Sequence, residues 1–184
     1  MALPDWILGV LFRPGETFER ARTEMTYSYW WILLSVFTIE AVMMVNDPVI
    51  RRMVPTPSNA DIIYNWAVFL LLIFTFQGLC FFGAGRLFGW AITWSEALKY
   101  TGLTWALFLL EDMVTFYPFL REQRTLLFWV SLPFIVWRIG VQTAGVRRLA
   151  GRPAGVALAI VLVGTLPWQL PLLYLSWTSL FQGS

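Results

Sequence analysis

Four ionisable residues, Glu40, Glu111, Asp112 and Arg138, lie in stretches of the chain that are otherwise apolar. A charge inserted into hydrocarbon costs at least about 2.5 to 3.5 kcal/mol, so each should face a neighbour, water or an interface. We expect Arg138 to pair with Glu111 or Asp112, and Glu40 to join them. The alternative places the two adjacent acids at an outer interface and Arg138 on backbone carbonyls. A buried pair would more often hold helices together than move ions.

The later apolar stretches also contain residues that would shape helices. Four are candidates for a helix break: Pro133, Pro167, Gln169 and Pro171. Each proline removes a backbone donor and favours a kink. Broken helices can form binding sites, but prolines are also tolerated in spans that transport nothing. Gly140 and Ala144, like Gly85 and Gly89, are four residues apart, a spacing that lets helices pack closely.

Catalysis is poorly supported. The chain has no His, which removes the commonest metal ligand and general base, and its single cysteine, Cys80, cannot form an internal disulfide. Asp112 is the one aspartate within a predicted span, whereas an aspartyl protease needs two. No glycine-rich phosphate loop with a lysine is present. We therefore predict a protein that is not an enzyme and has no cofactor and no catalytic or metal site.

These residues must be positioned by membrane-spanning helices. Hydrophobic residues make up 58% of the 184 and charged residues 13%, against about 25% charged in a soluble domain. Crossing a layer of about 30 Å takes about 20 mostly apolar residues in a helix. The sequence predicts an all-α polytopic membrane protein, a bundle of five transmembrane helices at about 29–45, 62–84, 98–119, 126–146 and 155–177.

Residues 1–28 form a separate element before the membrane domain, 29–184. Apolar residues from Trp6 to Leu11, with Asp5 as a cap, predict one short helix. Pro14 suits the first turn of a second, and together they predict an amphipathic hairpin on the membrane surface. With this end in the cytoplasm, eight of the 13 basic residues lie on the inner side and four on the outer side. That bias predicts a multi-pass protein of the inner (plasma) membrane with its C-terminus outside.

Three segments carry a resemblance that covers nearly the whole chain. Residues 11–18 (LFRPGETF) form a proline-then-phenylalanine entry. Gly89 and residues 95–102 (SEALKYTG) form a glycine turn that leads into the third span, and residues 148–151 (RLAG) precede an Ala-Leu pair in the last turn. With the five spans, this pattern resembles the short prokaryotic members of the Yip domain (Ypt-interacting-protein-like) family.

The resemblance implies a cytoplasmic N-terminus, a hydrophobic five-helix domain and no catalysis. Prokaryotic relatives are similar to accessory subunits that are sometimes associated with export transporters of the ATP-binding-cassette type. The leading expectation is an accessory or scaffold protein that acts through helix contacts, with the lipid bilayer, other membrane subunits or a second copy as partners. The net charge of +2 does not favour a nucleic-acid partner. The alternative is a small transporter or channel that uses the four embedded ionisable residues.

Overall fold

The computed structural model describes residues 3–26, 28–52, 55–115 and 123–181. Within these ranges the chain forms eight α-helices and no strand, so the all-α prediction is confirmed. In chain order the helices are α1 (Leu3–Phe12), α2 (Pro14–Glu24), α3 (Ser28–Val45), α4 (Pro48–Arg51), α5 (Asn59–Leu87), α6 (Trp94–Thr115), α7 (Arg124–Ala150) and α8 (Ala154–Phe181). The end of the predicted third span, residues 116–119, lies outside the described residues.

Local sequence signals determine where several helices begin and end. Pro14 occupies the first turn of α2, where a missing N–H costs nothing. The Ser58 side chain accepts a hydrogen bond from the backbone N–H of Asp61 and caps α5. A capping box precedes α6, because Thr93 Oγ1 accepts from the Glu96 N–H at 3.2 Å while Glu96 Oε2 accepts from the Thr93 N–H at 2.8 Å.

The membrane-spanning capacity of the described helices is uneven. Helix α5 is by itself long and apolar enough to cross a membrane, and it contains the predicted second span. Two further spans arise if α2 with α3, and α7 with α8, each count as one bent span, with bends of 119° and 117°. By length and composition, one to three of the described elements could therefore cross a membrane.

Helix α6 is the centre of the packing. It contacts α1, α2, α3, α5 and α7, and residues 100–107 are all buried. Helices α7 and α8 pack against each other, and α5 packs against α8 on one side and α3 on the other. The Tyr100 ring of α6 lies 4.6 Å from the ring of Phe81 in α5 and 4.9 Å from that of Phe18 in α2. This aromatic row connects the N-terminal hairpin to the core.

The N-terminal hairpin packs against protein along its apolar face. Trp6, Val10, Phe18 and Met25 are buried in the same core as the long helices. Helix α2 contacts α7 at Gly145, where an added Cβ would overlap the Phe18 ring. The hairpin is thus a docked part of the fold.

The small-residue spacing identified the wrong glycine on α7. An added Cβ at Gly140 would meet no atom within 4 Å, so this residue does not provide the close approach that was expected of it. Gly145 provides that approach instead. Gly85 does lie at a tight contact, 2.8 Å from an Ile92 methyl carbon to the position of an added Cβ, while Gly89 has φ +73° and makes the turn after α5. The four-residue spacing alone does not show which face of a helix is packed.

The candidate helix breaks lie inside continuous helices. Pro133 is an interior residue of α7, and α8 runs through Pro167, Gln169 and Pro171 without interruption. The largest change of direction near them is instead at residues 151–153, where Gly151 with φ +60° ends α7. The polar groups at the centre of the fold are therefore presented by unbroken helices.

Candidate functional site

The structure brings Arg138 of α7 and Glu111 of α6 together as an ion pair. Arg138 Nη1 lies 2.6 Å from Glu111 Oε2, and the two side chains are 4% and 15% exposed. The pair joins two helices whose sequence positions are 27 residues apart. Because solvent barely reaches the pair, salt screens the attraction between its two charges only weakly. Removing one member would leave the other charge buried without its main partner.

An aromatic ring forms one wall around the arginine. The guanidinium carbon of Arg138 lies 4.0 Å from the centre of the Phe108 ring. Phe108 precedes Glu111 by one helical turn, so α6 presents a ring face and a carboxylate to the same cation. The Phe108 ring also contacts Trp168 of α8, with the ring centres 5.7 Å apart and the planes inclined at 51°. Through this contact the ion pair is connected to the last helix.

Glu40 extends the site to α3 and, through its hydrogen bond with Trp66, to α5, while Asp112 is a second acid on α6. Both are buried, at 5% and 8% exposed. Glu40 of α3 accepts a hydrogen bond of 2.9 Å from the indole N–H of Trp66 in α5. The carboxyl group of Glu40 lies close enough to that of Asp112 in α6 for the two to interact.

We call Glu40, Trp66, Phe108, Glu111, Asp112 and Arg138 the charged cluster. The sequence identified its four ionisable members but not Trp66 or Phe108. The indication of Trp66 in the sequence was weak. A buried indole N–H needs a hydrogen-bond acceptor, and Glu40, in the apolar stretch before Trp66, could be that acceptor. Phe108 was detectable by its one-turn spacing from Glu111. Gln169 is also buried, on the same helix as Trp168.

A second set of buried polar groups continues from the cluster along α6 and α7. Trp105 donates its indole N–H to Gln77 Oε1 at 2.7 Å, and the Tyr100 hydroxyl donates to the backbone carbonyl of Gln142 at 3.1 Å. Gln142 lies one turn after Arg138, and its carboxamide has no hydrogen-bond partner among the described residues. Thr101 and Thr104 are satisfied by carbonyls of their own helix. These groups were missed because an isolated Gln or Thr in an apolar helix carries no pattern of its own.

The chemistry available at the charged cluster is that of ion pairing. In the part of the chain that the structure describes, no three His, Cys, Asp or Glu side chains are grouped in a way that could hold a metal ion. The cluster contains carboxyl, guanidinium and indole groups, and no thiol or hydroxyl nucleophile. No family model, curated protein or solved structure matches the chain. Its function must therefore be argued from this geometry.

Proposed function

We propose that this protein is a non-enzymatic integral membrane protein of five spans that acts as an accessory or scaffold subunit through helix contacts. In this proposal the N-terminus is cytoplasmic, the C-terminus is outside, and the protein lies in the plasma membrane. Each predicted span from the first to the fifth overlaps one long helix, α3, α5, α6, α7 or α8. The shortest, α3, has 18 residues and so is about 27 Å long, close to the hydrocarbon thickness.

Two features support the proposal that helices other than α5 cross the membrane, although their composition alone is not apolar enough to identify them as spans. Helix α6 carries Glu111 and Asp112, but both side chains are themselves largely buried, which keeps their charges from lipid. The chain also reverses by more than a right angle between α7 and α8. A reversal of that size returns the chain toward the side from which it came, as two successive spans require.

The observation that carries the scaffold proposal is the closure of the charged cluster. Arg138 is 3% exposed, and its guanidinium is enclosed by a carboxylate and a ring. A carrier would present such groups to a water-filled cavity, whereas a structural subunit uses them to fix helix positions. The charges thus hold α3, α6 and α7 in one arrangement.

The outer face of α5 supplies a surface for helix contacts. Leu71, Leu72, Phe76 and Leu79 are exposed large apolar residues on this helix. Lipid or an apolar helix of another subunit would cover such a face. By the resemblance described above, an export transporter of the ATP-binding-cassette type is the partner proposed for it.

The scaffold proposal is tested by site-directed photocrosslinking in native membranes. A photoreactive amino acid at position 72 should give one discrete crosslinked band that contains a transporter subunit. The same probe at position 163, an exposed valine of α8, serves as the comparison. If the probe crosslinks only to lipid at both positions, the scaffold proposal is refuted.

A transporter is the second candidate function, and the burial of two acids, Glu40 of α3 and Asp112 of α6, in helices that pack together favours it. Proton relays in membrane proteins use chains of buried carboxyl groups. The test is proton or sodium flux into liposomes that contain the purified chain. Glu96→Gln, which changes an acid at the membrane edge, is the matched control. Flux that disappears in Glu111→Gln but persists in Glu96→Gln would replace the scaffold proposal with the carrier. No flux above empty liposomes would exclude the carrier.

A further inference from the structure

An arginine-rich cleft lies where the start of α2 meets the end of α7. We call it the arginine cleft and define it by its four cations, Arg13, Arg147, Arg148 and Arg152. It has two neighbouring parts, of about 370 and 830 Å³, which share Gly15 and Arg148 in their walls. None of these residues belongs to the charged cluster, and the proposed scaffold role does not use them.

The charges of the cleft are not balanced by its own acids. Two carboxylates, Glu16 and Glu19, line the same space as the four arginines. Arg148 Nε binds Glu19 Oε2 at 2.7 Å, a contact that ties α2 to α7. The Arg152 guanidinium donates to the Gly89 carbonyl at 2.7 Å, a neutral acceptor that leaves its charge unbalanced. The remaining positive charge favours an anion.

An exposed apolar edge borders the cleft. Phe12, which lines the smaller part of the cleft, is 78% exposed, and Leu8 lies one turn earlier on α1 and is 53% exposed. The buried side of α1 is already used by Trp6 and Val10 in the core. Phe12 and Leu8 are therefore available to a second apolar phase. A surface that joins exposed large apolar side chains to a group of arginines is typical of a helix at the boundary between headgroups and acyl chains.

We propose that the arginine cleft binds the phosphate of an anionic phospholipid headgroup, while Phe12 and Leu8 enter the acyl region beside it. This inference rests on the proposed membrane location with the N-terminal hairpin at the inner surface, where anionic lipids are found. Arginine suits the site because its planar fork can donate two hydrogen bonds to one phosphate. Each basic residue near an anionic membrane surface strengthens the binding of a protein to that surface by a factor of about five.

The test uses the full chain purified in mild detergent and mixed micelles of phosphatidylcholine with phosphatidylglycerol. Lipid retained by the protein is measured by native mass spectrometry. Arg13→Gln with Arg147→Gln should reduce retained phosphatidylglycerol by on the order of tenfold or more, from two lost factors of about five. Neither arginine forms the α2–α7 ion pair, so docking of the hairpin is kept. Arg51→Gln with Arg52→Gln removes the same charge far along the chain and should retain lipid like the wild type.

Three results would overturn the proposal. The first is equal retention by the cleft variant and the wild type, and the second is an equal loss in the Arg51 and Arg52 control. The third is displacement of phosphatidylglycerol by millimolar inorganic phosphate, which would make the site one for free phosphate. Failure of the proposed function is seen separately, because the wild type would then be released from membranes by an alkaline carbonate wash. Retention in washed membranes without preference for phosphatidylglycerol would refute only the lipid site.

Discussion

The Arg138–Glu111 pair can be tested by a double-variant cycle in which each charge is replaced by glutamine. With charge centres about 4 Å apart and an effective dielectric constant of about 20, the attraction is about 4 kcal/mol. Removing one member of a buried pair costs about 3 to 5 kcal/mol, because the other charge remains buried without its partner. We expect Arg138→Gln to reach this range, since it also loses the contact with the Phe108 ring, worth about 0.5 to 2 kcal/mol.

Glu111→Gln should cost less than Arg138→Gln. Glu111 is the more exposed partner, and Arg138 still experiences the charge of Asp112 after the substitution. The double variant removes both charges, so neither is left buried without its partner. Its loss in free energy of unfolding should therefore be smaller than the sum of the two single losses by about 0.5 to 3 kcal/mol.

The assay is reversible unfolding by titration with a denaturing detergent, followed by circular dichroism. Arg147→Gln is the matched control, an exposed arginine on the same helix, and should change the free energy of unfolding by less than about 0.5 kcal/mol. The reasoning is refuted if both single variants behave like this control. Strict additivity of the two single losses would also refute it, because it would show that the two charges do not interact.

Three further predictions concern helix contacts outside the charged cluster. Gly145→Ala should cost about 1 to 3 kcal/mol because its Cβ overlaps an aromatic ring, whereas Gly140→Ala should be neutral or stabilising, as measured by the same titration. Trp105→Phe should cost about 1 to 3 kcal/mol by leaving the buried Gln77 oxygen without its donor, and a loss below about 0.5 kcal/mol would contradict this. Glu96 of α6 forms an ion pair with Arg22 of α2, with Arg22 Nε 2.6 Å from Glu96 Oε1. Burial raises the pKa of Glu96, but the hydrogen bonds from Thr93 and the charge of Arg22 outweigh burial, so the pKa lies below its ordinary value of 4.5. Its stabilisation is therefore complete above pH 4.5 and lost as pH falls below it, and hydrogen exchange of α2, corrected for intrinsic rates, should rise there in the wild type but not in Glu96→Gln.

The sequence was sufficient for the helices because their signals are local. The predicted second span, 62–84, lies within α5, and Pro14 correctly marked the start of α2. Glu40, Glu111 and Arg138 were detectable because an ionised side chain is conspicuous in an apolar stretch. Sequence did not indicate helix rotation, and so could not decide between Gly140 and Gly145 or find Trp66. The positions of these residues depend on which neighbouring helix each face contacts. The periodicity of a single segment does not contain that information.

Hydropathy and burial give different answers for α5 and α6, and the difference has a physical cause. Hydropathy records how well a helix tolerates lipid, and α5 passes such a test while much of its surface remains exposed. Helix α6 is surrounded by five other helices, so its side chains meet protein and need partners rather than apolarity. That is why the adjacent acids Glu111 and Asp112 occur on it, each facing a group from another helix. A helix at the centre of a helical bundle can therefore carry the polar residues that fix its neighbours, provided that each has a partner.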